Sequence, residues 1–129
     1  FKQVNDRFGH DCGDKALKAL TRRVRDALRS GDMVGRLGGE EFIVLAPDLH
    51  WGAGQALAER IRSVVAGAPV AIDGRELPLT VSVGVAEVEP HERDMSTTLR
   101  RADKALYVAK HGGRNRVEVA ARYNGGNLV

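Results

Sequence analysis

RLGGEEFIVL, residues 36–45, sets Gly38, Gly39, Glu40 and Glu41 between two apolar runs. Met33 to Leu37 and Phe42 to Ala46 have strand length, and glycines supply the positive φ that a tight reversal requires. The stretch therefore predicts a β-hairpin with two adjacent carboxylates at its tip. Such carboxylates repel each other in a low-dielectric site unless a positive charge sits beside them. A divalent cation is the obvious partner, and oxygen-only ligands point to magnesium, with manganese as the alternative. Taken alone, Glu40-Glu41 reads more readily as a solvated acidic turn, since short acidic turns are common, so its context has to overturn that reading.

Outward from the hairpin, helical and strand periodicities alternate. Residues 14–28 carry Leu17, Leu20, Val24 and Leu28 at spacings of three and four with charges between them, a surface helix with one buried stripe. Residues 53–66 repeat the spacing at Leu57, Ile61 and Val64, and Gly67 and Pro69 mark the passage to a strand. Val70–Ile72, a turn at Asp73-Gly74 and Leu77–Val88 predict a second hairpin, because Leu79, Val81, Val83 and Val85 alternate with Thr80, Ser82, Gly84 and Ala86. The strands of this half are expected to be antiparallel. A third helix over 97–110, capped by Ser96 and closed by Gly112-Gly113, precedes a last strand at 116–119. The order α-ββ-α-ββ-α-β predicts an α+β fold, an antiparallel-rich sheet flanked by helices. One domain is expected over 1–120, with a frayed tail at 121–129. The polar loop NDRFGHDCGD before the first helix would ordinarily follow a strand, so a strand is expected ahead of Phe1, and the missing initiator methionine reads as a piece of a longer chain.

The bulk composition narrows the function classes. With 129 residues, 43% of them hydrophobic, the chain is long enough to bury one core. Its net charge of +3 comes from 20 basic residues interleaved with 17 acidic ones, which permits a phosphate-bearing partner without demanding one. Aromatic residues make up 5%, and none are interleaved with the basic ones as a base-stacking surface needs, so no nucleic-acid partner is expected. The single cysteine, Cys12, excludes an intrachain disulfide, and no apolar run approaches the roughly 20 residues of a membrane span, so a cytoplasmic setting is expected, with membrane tethering left to regions outside this sequence.

Lys110, Arg114 and Arg116 in KHGGRNR surround two glycines at the end of the third helix, a cluster suited to charge-assisted bonds to phosphate or, more simply, to answering the helix dipole. Asn5, His10 and Asp14 read by themselves as caps and turn formers. Jointly, GGEEF at 38–42, RSGDMVGR before it, FKQVNDRFGHDCGD, VSVGVA and RADKALYVAKHGGRNRV resemble the GGDEF domain of bacterial diguanylate cyclases in its GGEEF variant, in the family's order, over residues 1 to about 119. The resemblance implies a palm-like fold shared with nucleotide cyclases and condensation of two GTP into cyclic di-GMP with release of pyrophosphate. It makes Glu40 the catalytic signature residue and, with Glu41, a magnesium ligand, while Gly38 and Gly39 let the turn approach the phosphates. Asn5 and Asp14 match the guanine readers, since a carboxylate accepts from the N1 and N2 donors of guanine and finds no such pair on adenine. Lys2, Lys110 and Arg114 match phosphate-holding positions. One domain holds one GTP, so the active form is expected to be a symmetric homodimer.

Arg29-Ser30-Gly31-Asp32 matches the family's RxxD product-inhibition site for cyclic di-GMP, to which Arg60 matches a contributor from a neighbouring domain; an exposed charge pair at a helix exit is the bland alternative. The family's strand ahead of FK, with its metal-binding aspartate, and the segment upstream of it are not in this sequence. The resemblance thus implies an N-terminally truncated domain with an incomplete metal site, itself inactive, from a parent carrying an upstream sensor or regulatory domain. The competing class is an inactive GGDEF module serving as a receptor for GTP or cyclic di-GMP. The intact Glu40, Glu41, Asn5, Asp14, Lys110 and Arg114 argue against it.

Overall fold

Gly9, at a left-handed φ of 89°, turns the chain into α1 (His10–Ala27) in the computed structural model, which describes residues 7–121 and the backbone of 123–124 and 127–128. The helix starts four residues earlier than its leucine spacing suggests. His10, expected in a loop, is therefore helical, and Asp14, expected at the helix start, lies one turn inside it, with Asp11 in the first turn where the dipole favours an acid. Its buried stripe is Cys12, Ala16, Leu20, Val24 and Ala27, whereas Leu17 and Leu28 are only half-buried.

The chain folds as two compact units, Phe1–Asp48 with Ser63–Leu79, and Leu49–Arg62 with Thr80–Val129. In the first, β1 (Met33–Gly38) and β2 (Glu41–Leu45) form the expected hairpin. Beside α1 lie β3 (Val70–Ile72) and β4 (Arg75–Leu77), antiparallel around a turn whose Asp73 and Gly74 take φ of 50° and 77°. Val70, Ile72, Leu77 and Leu79 are buried together with the α1 stripe's own apolar residues, each such side chain contributing roughly 1.5–3 kcal/mol. The hairpin is tied to α1 by Lys15 Nζ donating to Asp73 at 2.6 Å, and to the residues ahead of α1 by the Arg75 guanidinium 4.8 Å from the Phe8 ring centre. Arg23 of α1 donates to the carbonyls of Val65, Ala68 and Pro69, where the second helix runs out.

That helix, α2 (Ala53–Ala66), follows the predicted bounds, but it buries Ala58, Ile61 and Val65 and leaves Val64 exposed. In the second unit β5 (Val83–Val85) is followed by α3 (Met95–His111) and β6 (Val117–Val119). Here the strand expectation is corrected. Leu77–Val88 does not run as one strand: β4 stops at Leu77, because Pro78 has no N–H to continue a ladder, and β5 pairs parallel to β6 across the α3 crossover, Val83 opposite Val117 and Val85 opposite Val119. Gly84 allows that crossover to lie close, since a Cβ there would come within 2.2 Å of the Ala102 carbonyl oxygen and 2.5 Å of the Leu106 nitrogen. The cap is corrected too: α3 begins at Met95, and Asp94, in extended conformation, accepts from the Ser96 N–H, so Asp94 and not Ser96 is the N-cap. In the tail expected to fray, Tyr123–Asn124 (β7) pairs antiparallel with Asn127–Leu128 (β8). No helix among the described residues is long and apolar enough to cross a membrane.

Candidate active site

The β1–β2 ladder runs in register from Met33↔Leu45 to Arg36↔Phe42, then shifts, so that Gly38 faces Glu41 and Leu37 is left over as a bulge. Gly39 and Glu40 are the two central turn residues. Gly38 has φ 147° and Gly39 φ 52°, while Glu40 keeps a negative φ, the order that puts glycine first in a II′-like reversal. Both glycines are thus required by the backbone, as their proposed approach to phosphates also needs. The side chains of Glu40 and Glu41 project from adjacent positions, Glu40 on the turn and Glu41 opening β2, and both residues are exposed.

Sequence reasoning passed over Arg36. Its guanidinium bends along the hairpin and donates to the Gly39 carbonyl through Nε at 2.8 Å and through Nη2 at 2.5 Å. The signal was present, an arginine three residues before the turn glycine, but hairpin patterns weigh turn residues and apolar alternation, and no spacing rule assigns a side-chain clamp.

Asp14 belongs to the same unit and is exposed in the second turn of α1. Lys2 and Asn5 lie outside the described residues. Lys110 and Arg114 belong to the second unit, at the end of α3. There the Gly112 N–H donates to Val108 O at 2.8 Å and the Arg114 N–H to Ala109 O at 3.0 Å, closing the last turn, and Gly113 at φ 120° precedes Arg114 and Asn115 at 62° and 45°. Two consecutive non-glycine residues in the left-handed region cost on the order of 1 kcal/mol or more each, so their surroundings must hold them. Asn115 accepts from Arg62 Nη1 at 2.9 Å, and Arg116 Nε donates back to the Arg114 carbonyl at 3.1 Å. Of the three cations read as one cluster, Arg116 is therefore a brace for the loop that carries Arg114.

Arg29 and Asp32 are joined to each other. Arg29 donates to both oxygens of Asp32, from Nε at 3.2 Å and Nη2 at 2.9 Å, its backbone N–H donates at 2.8 Å, and Nη2 also reaches Pro47 O at 2.7 Å. The hydrogen bond to Asp32 holds the Arg29 pKa above its ordinary value, against the opposing effect of desolvation. The Asp32 side chain is 0% exposed and that of Arg29 41%, so the arginine offers the accessible edge of the pair. Arg60 is exposed on α2.

Two surface cavities in the second unit, of about 490 Å3 and 90 Å3, are lined by Gly52, Gln55, Ala56, Glu59 and Val117 and by Trp51, Gly52, Glu87, Arg101, Val119 and Ala120. None of the residues singled out above lines either, so cavity volume does not locate the chemistry. Among the described residues no group of three or more His, Cys, Asp or Glu comes together to hold an ion. The hairpin nonetheless fits magnesium in kind, because that ion is commonly held by one or two carboxylates, waters and substrate phosphates instead of a full protein cage.

Residues 1–116 match the family described as "Diguanylate cyclase, GGDEF domain". Diguanylate cyclase DgcP of Pseudomonas aeruginosa is 45% identical over 120 residues, 93% of this chain and 18% of that protein. In structure the chain is similar to the diguanylate cyclase SiaD of Pseudomonas aeruginosa, solved in complex with its activator SiaC, at a TM-score of 0.85 and 41% identity over 92% of this chain and 45% of that one. It is similar also to the active GGEEF domain of a diguanylate cyclase from Vibrio cholerae, at 0.82 and 35% over 95% and 77%. The α+β, nucleotide-cyclase-like class expected from the sequence is the class these neighbours share. The chain spans well under half the length of the curated relatives it matches, 18% and 32% of the first two.

Proposed function

The chain belongs to the GGDEF family of diguanylate cyclase domains, and we propose on that ground that it is the catalytic domain of a protein that condenses two GTP into cyclic di-GMP and pyrophosphate. The observation that carries the proposal is the glycine turn that presents Glu40 and Glu41 side by side. In each of two steps the 3′-hydroxyl oxygen of one nucleotide bonds to the α-phosphorus of the other, the bond to the departing pyrophosphate breaks, and the hydroxyl proton is taken up. Such chemistry depends on positioning and on charge placed where charge develops.

Glu40 and Glu41 would hold magnesium, with manganese as the alternative, and the ion when bound polarises the phosphates. Glu40, as the signature residue, would also be available to take up the hydroxyl proton. Asp14, with Asn5, reads the guanine donors and so selects GTP over ATP. Lys110, Arg114 and Lys2 hold phosphates, and the braced left-handed loop gives Arg114 a fixed approach. Because each domain supplies one nucleotide, catalysis takes place between two copies of the domain related by a two-fold axis. Arg29 and Asp32, with Arg60 from a neighbouring domain, form a product-inhibition site, Arg29 leaving its tie to Pro47 to meet a guanine or phosphate. The domain is assigned to residues 1–120.

The test is product formation: the full-length protein with GTP and magnesium is expected to yield cyclic di-GMP, and binding of GTP without product would favour the receptor alternative. For the inhibitory site, calorimetry with cyclic di-GMP should show loss of affinity in Arg29→Ala and not in Asp14→Ala. Loss only in Asp14→Ala would move the product into the substrate pocket.

A further inference from the structure

We propose that Arg36 is a positioning residue of the catalytic turn: its side chain grips the Gly39 carbonyl and thereby fixes where Glu40 is presented, an inference that rests on the roles proposed above for Glu40 and Glu41. The turn needs such a device. Two successive glycines with φ of 147° and 52° leave the tip many alternative backbone states, since glycine visits both signs of φ at little cost. The ladder restrains it only through the single pair Gly38↔Glu41, because the register breaks between Arg36 and Gly38 and Leu37 is extruded, 57% exposed. Arg36 stands on the last regular pair before that break, opposite Phe42, and reaches over the irregularity to the turn.

Both donors of the fork, Nε at 2.8 Å and Nη2 at 2.5 Å, meet the same oxygen, which fixes the carbonyl in direction as well as in distance. Arg36 and Gly39 are both exposed, so the fork does not rescue a buried carbonyl, and an exposed neutral acceptor adds little net stability. What the fork supplies is position. The Gly39 carbonyl belongs to the peptide that leads into Glu40, so holding its plane sets the direction in which the Glu40 Cα–Cβ bond leaves the turn. Lysine cannot substitute, because an ammonium is a point donor without a planar fork.

The experiment uses the full-length protein in wild-type form and as Arg36→Ala, Arg36→Lys and, as a control on the bulge, Leu37→Ala. Three quantities are measured: amide hydrogen exchange of residues 38–42 without nucleotide or metal, kcat and KM for GTP, and the melting temperature. Displacement of a reacting group by about 1 Å costs on the order of a hundredfold. Both arginine variants are accordingly expected to exchange faster at 38–42, to lose kcat by roughly that factor with KM within about threefold, and to melt within a few degrees of wild type; Leu37→Ala is expected to keep its kcat. The proposal is overturned if either arginine variant keeps wild-type exchange at 38–42, if Arg36→Lys keeps full kcat, or if the loss lies in KM. A wild-type protein that makes no cyclic di-GMP would instead remove the cyclase reading, and the exchange measurement would still decide whether Arg36 holds the turn.

Discussion

Glu40 occupies a backbone position that only the two glycines before it make possible, and the hairpin strands it joins need neither carboxylate for their pairing. Removing one should therefore leave the fold intact. Glu40→Ala and Glu41→Ala are each expected to abolish cyclic di-GMP synthesis with melting temperatures near wild type, and undiminished turnover in both would remove them from the site. Asp14 tests base recognition separately. It is exposed on a helix whose buried stripe lies on other positions, so Asp14→Ala should weaken GTP binding tenfold or more, in the range of about 1.5–3 kcal/mol for a hydrogen bond to a charged group, and leave ATP binding unchanged. Equal affinity of the wild type for GTP and ATP would contradict that role. The hairpin that carries Glu40 and Glu41 was legible in its glycines, but spacing alone left the two acids a solvated turn and Asp14 a cap, and only the joint resemblance of the motifs to a family proposed their roles. Arg36 was not legible, since its role depends on where a long side chain bends across a bulge, which no linear spacing encodes.

Elements were read well where hydropathy dominates and poorly where small residues or backbone chemistry decide. The register of the β1–β2 hairpin follows its glycines, and α2 keeps its predicted ends. The start of α1 was missed because its first buried positions are Cys12 and Ala16, which a leucine spacing overlooks, and the supposed long strand failed because Pro78 interrupts the ladder inside an otherwise alternating run. The parallel β5–β6 pair was hidden for a related reason: alternation shows a strand but does not name its partner. Gly84 shows how tightly that pair is built against α3. A methyl group there would meet backbone atoms, which cannot swing aside, so Gly84→Ala is expected to destabilise the domain by about 1–3 kcal/mol or more, measured by denaturant unfolding; a loss below a few tenths would mean that α3 is not seated so closely. At the start of α3, Asp94→Ala should lower the melting temperature more than Ser96→Ala, because the Asp94 side chain receives the helix N–H. The reverse order would restore Ser96 as the cap.

For the whole molecule, the ion cluster of the second unit predicts a pH dependence. Arg101 donates to Glu92 from Nε at 3.0 Å and Nη2 at 2.6 Å, with Glu89 3.7 Å away, and the Glu92 side chain is 1% exposed. The hydrogen bond from Arg101 holds the Glu92 pKa down from 4.5 to about 2. A carboxyl lowered in the folded state contributes stability that is complete above its unfolded value near 4.5 and lost as pH falls toward 2. Glu92→Gln should therefore melt below wild type at neutral pH, and the gap should close between about pH 4.5 and 2. A gap that stays constant would show that the pair is not the cause.

The roles proposed for Glu40, Glu41, Asp14, Lys110 and Arg114 hold only if the full-length protein turns GTP over. The direct measurement is product stoichiometry: purified protein with GTP and magnesium, cyclic di-GMP and pyrophosphate quantified together, beside Glu40→Ala under the same conditions. Two pyrophosphates per cyclic di-GMP in the wild type and neither product in Glu40→Ala is the predicted result. GTP bound without either product, or equal product from Glu40→Ala, would contradict it.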